Sequence, residues 1–240
     1  MTSSIEELIV VNDSGLLRMT LNRAQKANAL NLAMNQTLAK VLQAARTDSN
    51  VHAVLLSGAG ERVFSGGVDV REKSNLPEET HRQMRSTAFF SVLMELVDFP
   101  KPVVVAVNGA ASGGGFMIAA LADAIVATPT ANFTLPEIDL GTPPLAGLVI
   151  LSPIVGQALA YQLVQTGRTM GAEESLRHQL IQSIVAFSEL NEKAQQCAQF
   201  LMAKNASAFA ASKHWVRQSV KDQLLKAEQG MVDFRNIKGA

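Results

Sequence analysis

Two β-rich apolar runs, Ile5 to Val11 and Leu16 to Leu21, flank the turn-forming cluster Asn12-Asp13-Ser14-Gly15, a pattern that predicts an opening hairpin. From Asn31, a residue suited to cap a helix, apolar side chains recur at Leu32, Met34, Leu38, Val41 and Leu42, roughly one face of a helix. Ala53 to Leu56 then reads as a short buried strand, which completes a ββα unit. A second unit follows. Its helix runs from about Pro77 to Val97 with Phe89, Phe90, Leu93 and Leu96, and its strand covers Val103 to Val107. Asp123 to Ala127 supplies a further strand. Beyond about Leu145 the pattern is mainly helical, clearest over Ala194 to Met202 and Ala206 to Leu225. Strands alternating with helices predict an α/β fold with ligands held on the loops that follow the strands. The expected organisation is a core over residues 1–190 and a helical C-terminal region over 191–240.

Composition narrows the partners. A chain of 240 residues, 48% of them apolar, can bury one large core. Its 21 basic and 21 acidic residues cancel, so no electrostatic footprint for nucleic acid is expected. Cys197 is the single cysteine, which excludes an intrachain disulfide, and its apolar neighbours suggest a buried, unreactive thiol. His52, His81, His178 and His214 are scattered, so no metal site is expected. Glu6 and Glu7 near the start do not fit a secretory signal, and a cytoplasmic protein is expected. Asn108, Ser112 and Asp123 interrupt the longest apolar stretch, which argues against a membrane span.

Three loops carry candidate chemistry. Ser57 to Asp69 is dense in glycine and follows a strand; Val107 to Met117 contains Gly113-Gly114-Gly115 and leads into an apolar helix. Glycine lets backbone amides face a ligand, and the first N–H groups of a helix are free to meet an oxygen. The third loop, Leu135 to Gly141, places Glu137 and Asp139 in an apolar setting. A dinucleotide loop, a Walker loop and a hydrolase nucleophile elbow all lack their required residues.

Taken together, the order and spacing of these loops resemble the crotonase (enoyl-CoA hydratase/isomerase) superfamily over most of the chain. The resemblance rests on Asn22-Arg23 through Lys26-Ala27-Asn28-Ala29-Leu30-Asn31, on Phe64-Ser65-Gly66-Gly67-Val68-Asp69, and on Lys101-Pro102 through Asn108-Gly109 to Gly113-Gly114-Gly115. Phe133 to Gly141, with Pro136-Glu137, and Thr166-Gly167-Arg168-Thr169 through Glu174 continue it. It implies a repeated ββα superhelix with a C-terminal helical trimerisation region, an acyl-CoA substrate, and assembly as a homotrimer or dimer of trimers. No cofactor is implied beyond the substrate's own coenzyme A. Carried over by position, the oxyanion-hole amides belong to Val68 and Gly114 and the acid/base is Glu137. Lys26, Ala27, Ala29, Ser65, Asp69 and Val70 would lie along the coenzyme A channel, with Asp69 also suited to brace its loop. Gly67, Gly113, Met117, Pro136 and Leu145 would complete the substrate site.

The chemistry explains the parts. Removing a thioester α-proton requires that charge developing on the carbonyl oxygen be held, and each preoriented donor contributes about 3 kcal/mol. A carboxylate in an apolar pocket has its pKa raised toward the operating pH, as suits Glu137. Two departures from the family matter. Its hydratases carry a second glutamate where Met117 stands, and a glycine near the water where Leu145 stands. A thioether cannot hold and deprotonate water. One glutamate suffices to move a double bond, so 3-enoyl to 2-enoyl-CoA isomerisation is favoured over hydration, with decarboxylation and a non-catalytic acyl-CoA-binding subunit as further readings. Asp139, two residues on in what reads as an extended segment, should face the same side as Glu137, but the resemblance gives it no role. The tail between Lys213 and Gly230 is shorter than the family's by roughly a helical turn or more, taking ~3.6 residues per turn. Phe234 and Lys238 resemble tail residues that reach a neighbour's nucleotide.

Overall fold

A computed structural model describes residues 6–238, with the side chain of Lys238 excluded; Ile5 of the expected first strand lies outside this range. The chain runs β1 (Leu8–Asp13), β2 (Leu16–Leu21), α1 (Leu32–Thr47), β3 (Ala53–Gly58), β4 (Val63–Ser65), α2 (Glu78–Val97), β5 (Val103–Val107), β6 (Ala110–Ser112) and α3 (Gly114–Ala120). It continues with β7 (Ala124–Ala127), β8 (Asn132–Thr134), α4 (Leu145–Val155), α5 (Gln157–Thr166), β9 (Met170–Gly171), α6 (Ala172–Arg177), β10 (Ser183–Ile184), α7 (Phe187–Met202) and α8 (Ala206–Lys238). The strands form two sheets. One has the order β1-β2-β3-β5-β7-β10 and the other β4-β6-β8-β9. The β1–β2 hairpin is antiparallel, and from β2 to β10 the first sheet is parallel.

This is the repeated ββα arrangement. Each turn places one strand in each sheet, so the loops after β4 and β6 come to lie side by side. The parallel strands are buried on both faces, which is why β5 reads as the uninterrupted run Val103 to Val107. One side of the first sheet and the inner faces of α1, α2 and α3 share a core that includes Leu38, Phe64, Val92, Phe99 and Phe116. On its other side α7 packs Leu190, Ala194 and Ala198 against Leu55, Val104 and Val126.

Asn31 caps α1 by accepting from the Met34 N–H at 2.8 Å, while its own amide donates to Glu7 Oε2 at 2.6 Å. Replacing it by alanine should lower stability by about 1–2 kcal/mol, measurable by urea unfolding.

The C-terminal helix packs against its own chain. α8 continues past Leu225 as far as Lys238 and packs along α4 and α2, burying Val220, Leu224 and Ala227. Gly230 permits the approach: a Cβ there would sit 3.0 Å from Leu145 Cδ1. Lys213 Nζ donates to Asp123 Oδ2 at 2.6 Å and to Lys101 O at 2.9 Å, and Lys221 Nζ reaches Asp98 at 2.8 Å. Desolvation brings the Lys213 ammonium down to about 8 despite the attraction of Asp123. α7 and α8 thus share their cores with strands and helices that precede them in the chain.

Candidate active site

The site is built where the two glycine loops touch. Val68 forms an isolated parallel bridge with Leu30: the Leu30 N–H donates to Gly67 O at 2.8 Å, and the Asp69 N–H donates to Leu30 O at 3.0 Å. In such a bridge the N–H and C=O of the central residue face away from the partner strand. The Val68 carbonyl accepts from the Val70 N–H at 2.9 Å, and its N–H has no partner among the described residues. Gly114 is the first residue of α3, so its N–H has no helical acceptor and is likewise without a partner among the described residues.

Glycine at 67 is required for the two loops to meet. It holds φ +85°, and a Cβ there would fall 2.7 Å from Ser112 O and 3.1 Å from Gly114 N. At Gly113, with φ +52°, a Cβ would lie 3.0 Å from Glu137 Oε1. The carboxylate therefore occupies the space that a side chain at 113 would fill. Glu137 Oε2 is buried and accepts no hydrogen bond among the described residues. Desolvation raises its pKa above the ordinary carboxylate value, with its own backbone amide pulling partly the other way. A base must be deprotonated to take a proton, so the acid limb of turnover should lie above the usual range for an exposed glutamate. A pH–rate profile with that limb at an ordinary carboxylate value would contradict the burial argument.

Glu137 sits in a short 3-10 turn, Pro136–Ile138, not in an extended strand. The alternation that was expected to bring Asp139 to the same side does not apply. Asp139 is exposed and lies against the Gly167 backbone. Met117 is 7% exposed, one turn into α3 from Gly113, so the position from which a second glutamate would act is apolar and buried. Leu145 stands at the start of α4, where at least one of its methyl groups leans on α8 at Gly230.

Of the other residues assigned to the coenzyme A channel, Lys26 and Ala27 are exposed, Ala29 and Pro136 are half-buried, and Val70 is 65% exposed. Ser65 is 0% exposed, donates to Asn28 O at 3.0 Å and accepts from the Gly67 N–H at 3.2 Å, so its side chain braces the loop from behind. Asp69 also braces, accepting from Arg23 Nη1 at 3.1 Å and from the Arg71 N–H at 3.2 Å.

Three supports were not singled out from sequence. Asn28, 0% exposed, donates to Ala59 O at 2.9 Å and Val63 O at 2.8 Å, and Asn108 donates to Gly60 O at 2.6 Å. These amides hold the first glycine loop, and their only sequence signal is an asparagine set beside apolar runs. Phe89, on α2, is the third. Its ring edge comes within 2.8 Å of where a Gly114 Cβ would be, so it walls the glycine cluster. From periodicity it reads as one more core aromatic.

Residues 12–236 match the sequence model of enoyl-CoA hydratase/isomerase. The chain belongs to this family. Carnitinyl-CoA dehydratase of Escherichia coli (strain K12) is 37% identical over 213 residues, covering 88% of this chain and 80% of its own length. Among solved structures, enoyl-CoA hydratase from Bacillus anthracis superposes with a TM-score of 0.81 at 27% identity, covering 95% of this chain and 91% of that one. Enoyl-CoA hydratase from Mycobacterium tuberculosis H37Rv gives 0.79 at 29% identity, with 96% and 99% covered. Membership makes this an acyl-CoA enzyme of crotonase fold. Among the described residues there is no helix long and apolar enough to cross a membrane, and no cluster of candidate metal ligands. Cys197 is half-buried, and desolvation raises its thiol pKa, which keeps it protonated.

Proposed function

We propose that the enzyme stabilises a thioester enolate between the N–H groups of Val68 and Gly114 while Glu137 carries the proton, and that its reaction is the conversion of 3-enoyl-CoA to 2-enoyl-CoA. Glu137 takes a proton from the carbon next to the thioester carbonyl. The electrons move into the carbonyl, the two amides hold the oxygen, and the same carboxyl returns the proton at the far end of the dienolate. One base does both transfers and no water enters. The thioester supplies its own electron sink, so no further cofactor is required.

The observation that carries this reading is a Glu137 carboxylate whose Oε2 is buried and without a hydrogen-bond partner among the described residues, together with an apolar Met117 at the other expected carboxylate position. A hydratase needs a second group to hold and orient its water. Hydration or dehydration is the second reading, favoured by the names of the relatives, which are a dehydratase and hydratases. Assaying matched 3-enoyl and 2-enoyl thioesters separates them: isomerisation predicts turnover of the first and little 3-hydroxyacyl product from the second. Efficient hydration of the 2-enoyl ester would overturn the preference. Decarboxylation would appear as carbon dioxide release from a carboxyacyl thioester. Saturable binding without α-proton exchange in deuterium oxide would instead mark a binding subunit. Assembly as a homotrimer or dimer of trimers belongs to the same proposal, and light scattering tests it.

A further inference from the structure

Next to Val68 lies a charge cluster centred on a buried arginine that the proposed chemistry does not touch. Arg23 is 8% exposed and is the second residue after β2. Its Nε donates to Glu7 Oε1 at 2.8 Å; its Nη1 donates both to the Ala29 carbonyl and to Asp69 Oδ2, the latter at 3.1 Å. Glu7 is itself held by the Asn31 amide. Ala29 and Asp69 each adjoin one residue of the Leu30–Val68 bridge. A single guidanidinium hydrogen atom pair therefore ties together the two backbone segments whose pairing turns the Val68 N–H outward.

We infer that Arg23 is a positioning residue for the oxyanion hole, acting through Asp69 and Ala29 to set the direction of the Val68 amide. This rests on the proposed use of that amide to hold the thioester oxygen. The geometry gives Arg23 no route to the ligand of its own. Its planar fork meets three acceptors at fixed angles, and a lysine ammonium, being a point charge on a flexible stem, cannot hold the same three. Small errors in donor direction are costly, because the donor must meet the oxygen where charge develops and not where it rests in the ground state. A brace that served folding alone would change stability and leave carbonyl polarisation untouched.

The test uses the full chain with hexadienoyl-CoA, a conjugated thioester whose absorbance moves to longer wavelength when its carbonyl is polarised. Turnover is read with the 3-enoyl ester, and α-proton exchange with butyryl-CoA in deuterium oxide. Arg23→Lys should reduce the absorbance shift of the bound ester and lower kcat roughly ten- to thirty-fold, with KM within about three-fold of wild type. Asp69→Asn, which keeps an acceptor oxygen but removes the charge, should act in the same direction and more weakly. It also serves if Arg23→Lys fails to fold by circular dichroism. A full absorbance shift in the folded variants, or a rise in KM with kcat unchanged, overturns the positioning role. If wild type binds hexadienoyl-CoA without any shift, the oxyanion-hole reading itself fails and this inference falls with it, a result distinct from variants that keep a shift wild type displays.

Discussion

Glu137→Gln should lower isomerisation of a 3-enoyl-CoA by at least ~100-fold while substrate affinity stays near wild type. The glutamine amide preserves the shape of the side chain beside Gly113, where a carboxylate oxygen now sits, but it cannot accept a proton. The buried, apolar Met117 provides no substitute. The same substitution carries a stability signature. Desolvation raises the folded-state pKa of Glu137 above its unfolded value. Between those two values the folded state binds more protons than the unfolded state, so stability falls as pH rises through that window. Glu137→Gln removes this cost. The variant should melt higher than wild type at neutral pH, and the gap should close as the pH drops below the ordinary carboxylate range. Full turnover in the variant would end the single-glutamate mechanism; a lower melting temperature at neutral pH would contradict the desolvation argument.

Gly67→Ala should reduce turnover on the order of 100-fold without changing any group that touches the proton. The substitution meets two obstacles at once. Alanine is strained at φ +85°, and its methyl would lie 2.7 Å from Ser112 O and 3.1 Å from Gly114 N. Both obstacles are backbone, so relief requires the two glycine loops to separate, which moves the Val68 and Gly114 amides apart. The strain itself should cost about 1–3 kcal/mol. Chemical denaturation measures that part, and kcat measured well below the unfolding transition measures the other. Gly156→Ala provides a comparison, since it shares a positive φ, +84°, but has open space around its Cβ position. It should lose stability with little loss of turnover. Equal turnover losses at the two positions would show that strain, not loop separation, is responsible.

The local parts were legible along the chain, because each rests on interactions among near neighbours. The hairpin follows from a turn cluster between two apolar runs, α1 from Asn31 and the spacing of Leu38, Val41 and Leu42, and β5 from an unbroken valine-rich segment. The family's loops were legible for a related reason: glycine is demanded at 67 by a close backbone approach, at 113 by a positive φ beside the Glu137 carboxylate and at 114 by the Phe89 ring, and such demands are written directly into residue identity. Glu137 was legible as a carboxylate in an apolar run, although its 3-10 turn was not, and the facing expected of Asp139 failed with the extended geometry it assumed.

Tertiary structure alone decided which side chains work at a distance. Nothing along the chain says what the side chains of Ser65 and Asp69 bind. In space their oxygens are committed to Asn28, Gly67, Arg23 and Arg71. Arg23 reaches Asp69 across 46 positions, and Lys213 reaches Asp123 across 90. No local propensity encodes either pairing, since the first depends on successive ββα turns coming together and the second on α8 docking against the core. The same holds for α8. Its amphipathic face predicts that something covers it, but only the packing of Gly230 on Leu145 and of Leu224 in the core identifies α4 and the rest of its own chain as the cover.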